Sequence, residues 1–269
     1  MPNEALHLPG PAVSLRAVHS RCRRPGKLTC AFGGGEVPLR YSLIFLVLAA
    51  ACVVVSLAVW DSVGWALVLP LYSALSFGLL AAAYAGAGPR LLLKRATGHR
   101  SIFGWLLFAP YFLLNAVTFG LYRLLSRESA YVQVAHNLFF GRRLSAREAE
   151  AEAWVGILDL AGEFPAAWWS RSRPGYRSLP VLDATAPSEE ELRSAVAWVA
   201  EAAAAGPVYV HCALGHGRSA CVAIAYLLSV GAVSTVAEGV QLLRSLRPGV
   251  RLHPPQLRLL CRFEPQPVS

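Results

Sequence analysis

From Tyr41 to Trp60 the chain runs twenty residues without a charge, and a second uncharged run extends from Val63 to Ala87. Each is long enough to cross the ~30 Å hydrocarbon core of a bilayer as a helix. The interruption between them, Asp61-Ser62, fits a tight helical hairpin. Such segments must satisfy their own backbone polar groups, which restricts this part of the chain to helices. A third apolar run, Ser101 to Leu125, contains Pro110 and Asn115 and has charge on both sides. Before it lies GPRLLLKRATGHR, with Arg90, Lys94, Arg95 and Arg100; Arg123 and Arg127 mark its end.

The net charge of +9 is unevenly spread. Residues 1–130 carry 12 Lys/Arg against 4 Asp/Glu, whereas residues 131–269 carry 13 against 12. Basic residues that flank apolar runs set membrane topology, and they do not form a nucleic-acid surface. The positive-inside tendency places residues 1–40 and the 88–100 loop in the cytoplasm and the Asp61 turn outside. If the third run spans, everything after it lies outside. If it re-enters or lies along the interface, the C-terminal part stays cytoplasmic, and this is the arrangement the charges favour. Residues 1–40 form a basic Pro/Arg/Gly-rich arm, expected to be flexible, whose polar part is too long for a signal peptide. The six cysteines contain no CxxC pair, so neither a disulfide framework nor a zinc site is indicated, and no cofactor is called for.

From Tyr131 the pattern is that of a soluble α/β domain over residues 131–265. YVQVAHNLFFG reads as a short strand pair, RRLSAREAEAEAW as a helix, VGILDLAGEF as a buried strand and turn, and LPVLDATAP as a strand entering a loop. Ser188 and Glu191 form a capping box for a helix through about Ala204. VYVHC is an apolar central strand. Helices follow over Ser219–Val230 and Ser234–Leu246, and a last one over about Pro255–Phe263. Strands alternating with helices imply a central sheet flanked by helices.

The chemistry concentrates in HCALGHGRS. Cys212 ends a strand, and Ala213, Leu214, Gly215, His216 and Gly217 lead into a helix beginning near Arg218. Such a turn directs successive N–H groups at one point, and the helix N-terminus adds partial positive charge. Two glycines suit a backbone that wraps a tetrahedral oxyanion. Arg218 can bond two phosphate oxygens at once. A thiol attacks only as its thiolate, which this cradle favours.

HCALGHGRS resembles the HCxxGxxR[S/T] signature of cysteine-dependent protein tyrosine phosphatases, especially the dual-specificity branch. NLFFGRRLS, ILDL and LDATAP ahead of it fit the same frame, and the apolar N-terminal half is similar to bacterial membrane-anchored members. The resemblance implies a cysteinyl-phosphate at Cys212, phosphoryl binding by Arg218, and a hydrogen bond from Ser219 to the sulfur. It further implies that His211 orients the loop and that Asp183 is the general acid. No metal is implied.

Several positions keep a second reading. Asp159 competes with Asp183 but sits within ILDL. Glu163 either faces the pocket or is a solvated turn carboxylate. His216 is a rim residue rather than a catalyst, and Cys221 is read as core packing. Trp168-Trp169, with Arg171, Arg173 and Arg177, either docks on anionic headgroups or covers the core. The expected function is a multi-pass inner-membrane phosphomonoester phosphatase. Its substrate is a phosphoprotein or a membrane phospholipid, and the alternative is an inactive phosphate-binding membrane module.

Overall fold

The computed structural model describes residues 36–60 and 64–265. The arm, up to residue 35, and the Asp61 turn lie outside the described residues. Helix α1 covers Glu36–Ala58, so it begins before the uncharged run, and α2 covers Val68–Ala82. The two pack side by side through Phe45 on Phe77 and Tyr41 stacked on Tyr84, with Ser42 Oγ donating to the Ala81 carbonyl at 2.9 Å. The start of α1 therefore meets the end of α2. Phe45, Tyr84, Phe108 and Tyr111 share a buried cluster with Leu182 of the α/β domain, which brings both helix ends to that domain.

The 88–100 loop does not stand in solvent as its charge suggests. Lys94 is buried and donates to Asp159 Oδ2 at 2.8 Å and to the Ala161 carbonyl at 2.6 Å. Arg100 is buried too, bonded to the carbonyls of Leu92 and Gly162 and lying 3.9 Å over the Phe112 ring. A buried cation is tolerated only with such partners. Two of the loop's four basic groups are thus internal ties to the α/β domain.

The third apolar run forms α3, Ile102–Leu107, and α4, Ala109–Leu125. Pro110 stands in the first turn of α4, where its missing N–H costs nothing, and the chain changes direction there. Tyr72 of α2 donates to the Leu106 carbonyl just before this bend. Both ends of the run are held by the domain. Arg100 binds Gly162 at the start; Tyr122 and Glu128 meet His216 at the end. Between them the Phe119 ring lies against that of Phe164, tilted with centroids 5.2 Å apart, so α4 runs along the domain.

Five strands follow in the order β1-β2-β5-β3-β4. They are β1 Tyr131–Ala135, β2 Leu138–Gly141, β3 Gly156–Ala161, β4 Tyr176–Val181 and β5 Val208–His211. Only the β1–β2 pair is antiparallel. The helix expected over 142–154 shrinks to a single turn, α5 Ala146–Ala149, capped by Ser145 and Glu148. Trp154 explains the break, because it turns into the core and bonds the Ala149 carbonyl through Nε1 at 3.0 Å. Four further helices follow the one-turn α6 at Trp168–Arg171: α7 Glu189–Ala205, α8 Arg218–Ser229, α9 Val236–Leu246 and α10 Pro254–Arg262.

Alternation sorts the sheet's two faces. Leu158, Leu160, Val208 and Val210 face the main core, in which α7 and α8 are packed. Ile157 and Tyr209 face a smaller aromatic cluster with Trp154 and Leu144. Asp159 and His211, register partners on β3 and β5, fall on that second face, where Lys94 reaches Asp159. Trp169 covers the same cluster and bonds the Leu144 carbonyl, while Trp168 is exposed. Arg173 and Arg177 bond the Trp154 and Ser194 carbonyls. Trp169, Arg173 and Arg177 are thus tied to the domain, whereas Trp168 and Arg171 face outward.

Candidate active site

The C-terminal ends of adjacent parallel strands are where an α/β sheet presents a ligand site. Here β5 ends at His211 and β3, its neighbour, ends at Ala161. The chain leaving β5 makes a tight loop and enters α8 at Arg218, with Gly217 at the N-cap. Cys212 lies at the base of this loop, 3% exposed. The Gly215 N–H donates to its sulfur at 3.3 Å, and Ser219 Oγ stands 3.5 Å from it.

The two loop glycines serve different needs. Gly215 has φ 79°, and a Cβ there would collide with the Gly141 carbonyl carbon at 2.3 Å. Gly217 has an ordinary φ of −117°; its constraint is space, since a Cβ would press on Gln256 at 3.1 Å and the Arg251 carbonyl at 3.3 Å. Of the two glycines expected to let the backbone wrap an oxyanion, only Gly215 takes a left-handed φ.

Arg218 is 2% exposed and extensively bonded. Its guanidinium grips Glu163 through two bonds, at 2.7 and 2.5 Å, and donates to the Val181 carbonyl at 2.8 Å. Asp183 Oδ1 lies 3.1 Å from the same group. Nε of Arg218 is buried without a protein partner. A buried donor left unpaired is costly, so a guanidinium held this firmly with one donor spare is suited to an anion. Glu163, left open between two readings by the sequence, is a buried partner that fixes Arg218 and not a solvated turn residue.

Asp183 follows β4, and Ala184 after it adopts a left-handed φ of 57°. This puts a half-exposed carboxylate at the rim above the arginine. Asp159 does not compete for that position. It is buried, accepting from Lys94, Tyr176 (2.7 Å) and the Ala161 N–H (2.9 Å). Burial alone would raise its carboxyl; Lys94, His211 and these hydrogen bonds outweigh that and hold it far below the usual carboxylate range. His211 is buried behind the loop, with Nδ1 3.2 Å from the Cys212 carbonyl. Burial pushes its imidazole down despite nearby Asp159, which suits a neutral, orienting ring. Cys221 is fully buried in the main core, and burial pushes its thiol up to about 12.

A cavity of about 400 Å³ opens above the loop. Asp183, Cys212, Ala213, Leu214, His216, Gly217 and Arg218 line it, whereas His211, Gly215 and Ser219 support from behind. Glu163, Arg251 and His253 line it too, and so do Asn115, Thr118, Phe119 and Tyr122 of α4. His216, the expected rim residue, is clamped: its Nε2 lies 2.6 Å from Glu128 Oε2 and 3.3 Å from the Tyr122 hydroxyl. Burial alone would raise the Glu128 carboxyl; His216, Arg247 and the Gly249 N–H hold it below its usual value. Neither Glu128 nor α4 was identified from sequence as part of the site.

Residues 157–266 match the family model described as dual specificity phosphatase, catalytic domain. The chain is 30% identical over 169 residues to phosphatidylglycerophosphate phosphatase PTPMT2 of Arabidopsis thaliana, a match covering 60% of this chain and 72% of that protein. Among solved structures, Tk-PTP in its active form is similar, with 27% identity and a TM-score of 0.46 over 50% of this chain and 96% of that one. PTPMT1 in complex with PI(5)P gives 21% identity and a TM-score of 0.44 over 49% of this chain and 92% of that one. Joined to the thiol, arginine and carboxylate gathered in one cavity, the family-model match and the Arabidopsis relative identify the chain as a cysteine-dependent phosphatase, a member of the dual-specificity phosphatase family.

Proposed function

We propose that the protein is a membrane-anchored phospholipid phosphatase that removes a terminal phosphomonoester through a cysteinyl-phosphate. One observation carries this reading: α4 belongs to the apolar N-terminal half, yet it forms a wall of the cavity that holds Cys212. Its opposite face, with Leu113, Val117, Leu121 and Leu124, is exposed, Leu124 to 83%. Leaving such side chains in water forgoes roughly 1.5–3 kcal/mol each, so the face requires an apolar cover. Lipid supplies that cover, because α4 adjoins α1 and α2, and the helical segments Leu39–Ala58 and Val68–Ala87 are long and apolar enough to cross a bilayer. The Arabidopsis relative is named for phosphatidylglycerophosphate, a headgroup that such a site would meet in the membrane plane.

The chain divides functionally into the basic arm 1–40, a membrane region over 41–127 and the catalytic domain over 131–265. In this reading α1 and α2 span, and α3–α4 re-enters from the same side. The N-terminal end of α1, the 88–100 loop and the catalytic domain then share one side. The basic excess makes that side the cytoplasm, with the enzyme in the inner cell membrane.

The Cys212 thiolate attacks phosphorus, forming the S–P bond as the bond to the lipid oxygen breaks. Asp183 gives its proton to the departing oxygen. Arg218 and the loop amides hold the non-bridging oxygens, and Glu163 keeps the guanidinium in place. With phosphate at the guanidinium, Asp183 is released from Arg218 and that carboxyl is free to act. Water, deprotonated by Asp183, then attacks the cysteinyl-phosphate, releasing phosphate and the thiolate, which Ser219 stabilises by a hydrogen bond.

Asp183→Asn is expected to lower turnover by about 10²-fold for alkyl phosphates and much less for p-nitrophenyl phosphate, whose leaving group needs no proton. Equal losses on both would assign the acid elsewhere. The reading as a whole is tested by phosphate release from the full chain in mixed micelles, comparing phosphatidylglycerophosphate with a phosphotyrosine peptide. The lipid should have the higher kcat/KM. Preference for the peptide would make the helices a mere anchor.

A further inference from the structure

Helix α4 buries Tyr111, Phe112 and Phe119 and still carries polar groups to the catalytic cavity. A surface helix of a globular protein turns its apolar stripe inward and its polar stripe out. Here Asn115, Thr118 and Tyr122, three and then four residues apart, line the catalytic cavity, while Leu113, Val117 and Leu121 are exposed on the remaining surface. The polar groups are arranged along one side of the pocket above Cys212. Residues 109–125 lie ahead of the 157–266 segment that matches the dual-specificity catalytic domain.

The groups suit a hydroxylated ligand. Asn115 Nδ2 donates to the Tyr111 carbonyl at 2.9 Å, which fixes the amide in one orientation. The Thr118 hydroxyl donates to the Leu114 carbonyl at 2.9 Å, so its oxygen is set to accept. A fixed amide and a hydroxyl acceptor are neutral partners for alcohol groups. The charged end of the substrate is already met by Arg218 and the loop.

We propose that α4 is the substrate-selecting wall of the pocket: Asn115 and Thr118 hydrogen-bond a hydroxylated spacer that separates the terminal phosphomonoester from the lipid's backbone diester. The inference rests on the phospholipid reading above and deepens it. A lipid whose phosphomonoester sits directly on diacylglycerol has no such spacer and leaves both side chains without their ligand. A glycerol-phosphate headgroup fills the wall and reaches the thiol.

The test uses the full chain in mixed micelles and three substrates: phosphatidylglycerophosphate, phosphatidic acid and a phosphotyrosine peptide. The wild type should favour phosphatidylglycerophosphate over phosphatidic acid. Thr118→Val, nearly isosteric and at an exposed position, and Asn115→Leu should each lower that preference about tenfold, mainly through KM, because a hydroxyl-binding site discriminates by what it leaves unpaired. Thr118→Ser should retain it. An unchanged lipid ratio in both variants, with the wild type still preferring lipid over peptide, would overturn the selecting wall and leave the phospholipid reading standing. Wild-type preference for the peptide would overturn that reading and the wall together.

Discussion

Cys212→Ser should reduce phosphate release by on the order of 10⁴-fold or more, since removing the nucleophile of a concerted site removes nearly everything the site contributes to rate. A serine hydroxyl at the same position is far less ionised at neutral pH and lacks sulfur's nucleophilicity. Binding should survive. The loop amides, the α8 N-terminus and Arg218 do not depend on sulfur, so inorganic phosphate should still protect the variant against thermal unfolding. Calorimetry with phosphate and a release assay on the same preparation check both halves. Hydrolysis at the wild-type rate would remove the covalent mechanism.

The second large effect is expected at Glu163, which has no contact with the reacting thiol. Glu163→Gln removes the negative charge gripping Arg218, a side chain 2% exposed. Breaking a buried ion pair from one side typically costs about 3–5 kcal/mol, because the remaining charge is left uncompensated. Asp183, 3.1 Å away, is the nearest replacement. If it swings in to neutralise Arg218, it leaves its place as acid, so activity falls even where the fold survives. The variant should melt well below wild type and lose kcat on both alkyl and aryl phosphates. Glu163→Asp, one methylene short of the two-bond grip, should recover only part. Wild-type melting and activity in Glu163→Gln would mean that the carbonyls of Val181 and Leu160 suffice to hold the guanidinium.

The phosphate loop was legible because its chemistry is local. Cys212, Gly215, Arg218 and Ser219 sit within eight residues, and the strand and helix around them carry their own signals. Asp183 was singled out through the family resemblance of LDATAP, and the fold places it in the cavity lining. Glu163 was not, because its meaning lies in a partner 55 positions away, and a carboxylate in a turn looks the same whether solvated or paired. The structural role of the 88–100 loop was hidden for the same reason. Its charge pattern is that of a topology signal, but Lys94 and Arg100 are absorbed by Asp159 and by backbone carbonyls of the catalytic domain. The helix expected through Trp154 failed because propensity favours continuing the Ala/Glu run, while burying one indole requires the chain to turn. The role of α4 was hidden by its composition. An apolar run between basic flanks reads as a membrane segment, and only the folded chain puts Asn115 and Thr118 in the lining of the cavity that holds Cys212.

Rapid-quench of the full chain during turnover of phosphatidylglycerophosphate, followed by peptide mass spectrometry, tests the lipid reading and the covalent step at once. The expected result is phosphate on the peptide containing Cys212, appearing before free phosphate and absent from Cys212→Ser. Turnover of the lipid with no phosphorylated enzyme, or with phosphate on any other residue, would contradict it.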